Sequence, residues 1–183
     1  AAGAKAKILL IHFDGAIDAG GAGRMAIGQM LRSLHNERVA TFDADALVDY
    51  RSHRPIITVE DWVSSPDMVM PQTVLDLVED DMGNPILVLH GAEPDAHWES
   101  FTNAISGICE RAGVEITFSL HGVPSGVPHT RPTPVHVQAT DASLLPAGGA
   151  TIANHMQFPA PLSTFVQIRM GQRGIGGLAL LGA

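Results

Sequence analysis

The chain has 183 residues, of which 45% are hydrophobic and 16% charged, a balance that suits a compact globular protein and excludes a disordered one. With 11 basic and 19 acidic residues its net charge is −8, which argues against nucleic acid as a partner, because phosphate contacts need clustered Lys and Arg. Cys109 is the only cysteine, so no internal disulfide forms and a cytoplasmic setting is expected. Nothing approaches the roughly 18 consecutive apolar residues of a membrane span, and Asp14 interrupts the first apolar run too early for a signal-peptide core.

In chain order, Lys7 to Phe13 is a continuous apolar run of strand length, as in a sheet covered on both faces. A glycine-rich turn, Asp14 to Gly23, leads into a helix over Ala22 to His35, with Met25, Ile27, Met30, Leu31 and Leu34 at helical spacing. Arg38 to Phe42 reads as a strand. Asp43 to Arg54 is polar and Pro55 ends it; Ile56 to Val59 is a short strand. Thr73 to Glu79 fits helix or strand, but Asp80 to Asn84 and the strand Pro85 to Leu89 follow it as in a hairpin, which favours strand. Trp98 to Gly113 is a helix with Trp98, Phe101, Ile105 and Ile108 inward and Gly113 as its C-cap. Val114 to Leu120 and Val135 to Ala139 are strands, and Asp141 caps a short helical turn. Leu162 to Met170 is a helix, and Leu178 to Leu181 a last strand with nothing downstream to cover it. Alternating strands and helices predict one three-layer α/β domain over residues 1–183 with a mixed sheet, cut short at its C-terminus.

The stretch His121 to Pro132 holds three prolines and two glycines in twelve residues, so it predicts a stiff irregular loop after a strand. It carries His121, His129, Thr130 and Arg131 at the strand edge where α/β proteins keep binding groups. Its cations are expected to face Asp14, Asp18 and Asp49. A second polar loop, Asp49-Tyr50-Arg51-Ser-His-Arg54, offers guanidinium forks for an anion, or an internal ion-pair network with Asp45. These ten residues are the binding candidates.

Gly21-Ala-Gly23-Arg-Met-Ala26 matches the dinucleotide fingerprint, with Asp43 where a ribose-binding acid would stand. Seven residues separate it from the strand, and they include Asp14 and Asp18, so no cofactor is expected. His90, Glu93, Asp95 and His97 are metal-type ligands without metal-site spacing, so no metal is expected either. Ser125 and Cys109 have no sequence-adjacent base, which gives a catalytic nucleophile little support.

Four segments, in one order, carry a resemblance: Phe13 to Gly23, Val39 to Pro55, Gly91 to Glu99, and His121 to Pro132. Together they resemble the proteasome assembly chaperone 2 family in its actinobacterial branch, from about Ile8 to about Gly171. The resemblance implies a phosphorylase- or hydrolase-like fold and a homo-oligomer, with a trimer as one size. It favours a non-enzymatic assembly factor with a protein client. The alternative is a small-molecule enzyme working by phosphorolysis or hydrolysis at the strand edge, by analogy of fold. Family members continue past the last strand into a His-Val-Pro-His-Tyr motif and further helices, which this sequence does not contain.

Overall fold

The structure is a computed structural model, and it describes residues 3, 5–15, 17–126, 128, 130–147 and 155–182. Nine strands are placed among them: β1 Ile8–Asp14, β2 Asn36–Thr41, β3 Ile56–Glu60, β4 Val63–Val69, β5 Thr73–Glu79, β6 Pro85–Ala92, β7 Ile116–Gly122, β8 Val135–Ala139 and β9 Gly176–Gly182. The helices are α1 Ala22–Ser33, α2 Ala44–Leu47, α3 Trp98–Ala112 and α4 Leu162–Gly171.

Seven strands form a mixed sheet in the order β2-β5-β6-β1-β7-β9-β8. The central four, β6, β1, β7 and β9, run parallel; β5 and β8 flank them antiparallel, and the edge strand β2, antiparallel to β5, runs in the direction of the central four. The unbroken apolar run of β1 follows from this position, because both of its faces are covered. Leu9, Ile11 and Phe13 face α3 and α4, where Leu75, Leu87, Leu89, Phe101, Ile105, Leu162, Val166 and Met170 complete the main core. Leu10 faces α1, which packs Ile27, Met30, Leu31 and Leu34 against Val78 and Val88. Helix, sheet and helix make the three expected layers. Phe101 joins the aromatic rings, edge-on to Phe42 at 4.8 Å and tilted to Phe13 at 6.2 Å. Cys109 lies fully inside this core, and burial, then the charge of Glu110, pushes its thiol up to about 12.

Two expectations need correction. The predicted strand at Ile56–Val59 is no part of the main sheet: β3 pairs only with β4, as a separate two-stranded hairpin. Its turn residues Asp61 and Trp62 both have positive φ, 48° and 63°, the backbone of a two-residue type I′ turn. Such turns are usually signalled by Asn-Gly or Asp-Gly, and β4 contains Pro66, so the sequence conceals both strand and turn. The last strand is also not left bare. β9 lies between β7 and β8, and Ala179 is buried there. A Cβ on Gly177 would stand 3.0 Å from Cβ of Gln167 on α4, so glycine is what lets this helix sit down on the strand.

Candidate binding site at the strand C-terminal edge

The loop between β1 and α1 is held by the chain's own side chains. Asp18 accepts hydrogen bonds from the backbone N–H groups of Gly23 (2.8 Å) and Arg24 (3.1 Å), so its carboxylate sits on the positive end of α1. Gly21 enters the helix in the left-handed region, and a Cβ on Gly23 would overlap the ring of His12 beneath it. The two fingerprint glycines therefore serve backbone geometry and close packing. The place a pyrophosphate would take is filled by Asp18. His12 lies under the same helix end. Its Nδ1 donates to the Leu120 carbonyl at 3.2 Å, and its Nε2, which has no hydrogen-bond partner, faces Asp18 Oδ2 at 3.6 Å.

His121 holds the loop from the other side of the sheet. The sequence places it on the proline-rich loop; it stands instead within β7, buried against α4. Nδ1 donates to the Ile17 carbonyl at 3.2 Å, and Nε2 meets the hydroxyls of Ser119 at 3.0 Å and Ser163 at 3.4 Å. Ser119 donates in turn to Oε1 of Gln167, whose amide donates to the Leu178 carbonyl at 3.0 Å. Burial lowers the His121 pKa, outweighing the Ile17 carbonyl and Asp18 that raise it. A base with a depressed folded pKa binds fewer protons folded than unfolded. Its contribution is thus fully present above the ordinary imidazole value of about 6.5 and is lost as pH falls below it. Thermal melts stepped downward from neutral pH should lose less stability in His121→Gln than in the wild type. Equal losses would remove His121 from the acid response.

The other candidates are spread along the edge. Asp14 ends β1 and is exposed. Asp49 is taken up by its turn, where its Oδ1 accepts from the Arg51 N–H at 2.9 Å. Tyr50 has its phenol pKa raised by desolvation and then by Asp45 and Asp43. The expected ion-pair network is absent: among the described residues, neither Arg51 nor Arg54 has a side-chain partner, and both are exposed. Asp45 and Asp49 bind locally, and the guanidinium groups turn to solvent. Thr130 and Arg131 are exposed in a turn closed by the Arg131 N–H to the Pro128 carbonyl at 3.0 Å. His129 lies outside the described residues.

The metal-type residues have other partners. Glu93 accepts from the N–H of Leu162 at 2.6 Å and caps α4. His90 donates through Nε2 to Asp76 Oδ2 at 2.8 Å, and Asp76 also binds Arg38, so this buried carboxylate links β2, β5 and β6. Asp95 joins two loops. Its Oδ2 accepts from the Asp49 N–H (2.7 Å), Ser52 Oγ (3.0 Å) and His53 Nδ1 (3.2 Å). Burial pushes the Asp95 carboxyl up, but these three donors together bring it below its usual range. Sequence reading did not pair His53 with Asp95. They lie 42 positions apart, and only their presence in two polar motifs hinted at a link.

The PAC2 family profile matches residues 12–183. Comparison with curated proteins gave no match. Among solved structures, a Mycobacterium tuberculosis protein of unknown function is 33% identical at a TM-score of 0.90, over 97% of this chain and 61% of its own. A Corynebacterium glutamicum protein of unknown function is 30% identical at 0.84, over 99% of this chain and 66% of its own. The chain thus spans just under two thirds of the length of these two relatives. A Mycobacterium tuberculosis proteasome-assembly chaperone homologue shares the fold, with 22% identity and a TM-score of 0.85, over 96% of this chain and 74% of its own. With a profile match over nearly its whole length and a fold shared with such relatives, the chain belongs to the PAC2 family.

Proposed function

We propose that the protein is a cytoplasmic, self-associating binding factor of the proteasome-assembly-chaperone kind, which meets its partners through apolar surface. The observation that carries this reading is the β3–β4 hairpin. Trp62 at its tip is 100% exposed, and Ile56, Ile57, Val59, Val63, Met68 and Val69 are between 50% and 69% exposed. Ile56 pairs with Val69 and Ile57 with Met68. Neighbouring strand residues point to opposite faces, so both faces of the arm are apolar. Together these residues leave roughly 800 Å² open, about what one partner contributes to a standard-size specific interface. A lone two-stranded hairpin is marginal in water, so an arm of this kind gains its stability from what covers it. A second copy of the chain is the proposed cover, in a homo-oligomer for which a trimer is one size.

Light scattering at micromolar concentration should therefore give an assembly. The double variant Ile57→Ser, Trp62→Ser should lower the mass toward the monomer while leaving the fold intact by circular dichroism. A monomeric wild type, or an unchanged mass in the variant, would overturn the hairpin's role.

The alternative reading is a phosphorylase- or hydrolase-like enzyme. One feature speaks for it: the sheet carries two desolvated His–Asp pairs, His12 with Asp18 and His90 with Asp76. Both are engaged in holding secondary structure together, and that use favours the assembly reading.

A further inference from the structure

The Asp95–His53 pair differs from those two, because it stands within reach of solvent. The side chains of His53 and Asp95 are 28% and 32% exposed. A bare Nδ1 would set a lone pair against the carboxylate oxygen 3.2 Å away, so Nδ1 carries the hydrogen and donates it to Asp95. The Asp49 N–H and the Ser52 hydroxyl hold that carboxylate in place, and it holds the ring. Nε2 is then the open atom of a ring fixed in one tautomer. It points at the end of β1: a Cβ on Gly15 would stand 3.9 Å from it, and Gly15, with φ of 97°, has none. On either side of His53 in the turn are Arg51 and Arg54, whose guanidinium groups have no partner among the described residues. The carboxylates of the turn are engaged there: Asp95 accepts from three donors, Asp49 binds the Arg51 N–H, Asp43 accepts from the Asp45 N–H and Asp45 bonds Tyr50, while exposed Asp14 at the end of β1 adds a further opposing charge.

We propose that the Asp49–Arg54 turn, beside Gly15, is a binding site for a protonated small oxyanion of the phosphate class. A guanidinium fork takes two oxygens of such a group. His53 Nε2, as an acceptor, takes the P–OH hydrogen. Sulfate has the shape and charge of the hydrogen-phosphate dianion but no such hydrogen near neutral pH, so the ring in its neutral form, with Nδ1 tied to Asp95, discriminates between the two. The inference goes beyond the assembly reading and stands or falls apart from it, since none of its residues lies on the hairpin.

The test is an NMR titration of the full chain with inorganic phosphate and, at matched ionic strength, with sulfate. Saturable shifts are expected at the His53 ring and the Arg54 guanidinium, with sulfate weaker by roughly tenfold, about the worth of one charge-assisted hydrogen bond. Arg54→Ala should weaken phosphate binding. Asp95→Asn, which frees the ring tautomer, should narrow the preference over sulfate, while thermal melts confirm that both variants fold. Glycerol phosphate serves as a third probe. At a pH of about 6, where a monoester keeps a P–OH hydrogen, binding as tight as phosphate's or tighter on the same residues assigns the site to a phosphorylated metabolite, and weaker binding assigns it to free phosphate. Equal shifts with phosphate and sulfate, or no saturation with either, would overturn the proposal.

Discussion

Asp76→Ala is expected to cost about 3–5 kcal/mol of folding stability, the range for removing one partner of a buried ion pair. The Asp76 side chain is only 4% exposed, in the second strand from the sheet edge, and it receives hydrogen bonds from Arg38 on β2 and His90 on β6. Alanine leaves the His90 N–H aimed at an empty space that water does not easily reach. Arg38 is nearly half exposed and can rehydrate, so the lower end of the range is the better expectation. Asp76→Asn keeps an acceptor and should cost less. Urea denaturation reads both, and a loss under about 1 kcal/mol for the alanine variant would mean that the carboxylate is dispensable.

Gly122→Ala is expected to cost about 3 kcal/mol, the upper end for overpacking a filled interior. A Cβ there would overlap the Ala19 carbonyl oxygen and stand 2.9 Å from the Ala19 nitrogen. Both atoms are backbone, so no side chain can swing aside. The residue also pairs with Asp18 in an isolated bridge, so relief of the clash pulls Asp18 from the end of α1. Amide exchange should accelerate at Gly23 and Arg24 and stay slow in the centre of β1. Gly126, four residues on, is the control: a Cβ there meets nothing within 4 Å, and its alanine variant should melt like the wild type. A destabilised Gly126→Ala, or an unaffected Gly122→Ala, would show that the close approach is not what requires glycine.

The two glycines look alike in the sequence, and that marks where sequence reading stops. Periodicity reports burial, so β1, α1, α3, β7 and α4, each with a buried face, were legible to within a few residues. The β3–β4 hairpin follows no such rule. Its apolar residues stand on both faces in the isolated chain, and neither alternation nor turn chemistry marks its second strand. Capping also escapes a local reading when the carboxylate is distant in sequence, as with Glu93 at Leu162. For the same reason Asp95 was read only as a metal-type ligand without metal-site spacing, while in the structure it holds His53. Asp18 was read as a carboxylate unfavourable to a bound pyrophosphate; in the structure it caps the start of α1.

The sealed position of Cys109 has a practical consequence. A thiol pushed up to about 12 carries almost no thiolate at neutral pH, and its sulfur lies under the α3 face of the sheet. The native chain is therefore nearly silent toward maleimides and other alkylating dyes. A cysteine placed at the hairpin tip or in the turn beside Gly15 becomes the single addressable point on the molecule. Paired spin labels at the tip then test for a neighbouring copy, and a fluorophore at the turn tests for anion binding, without removing the native cysteine.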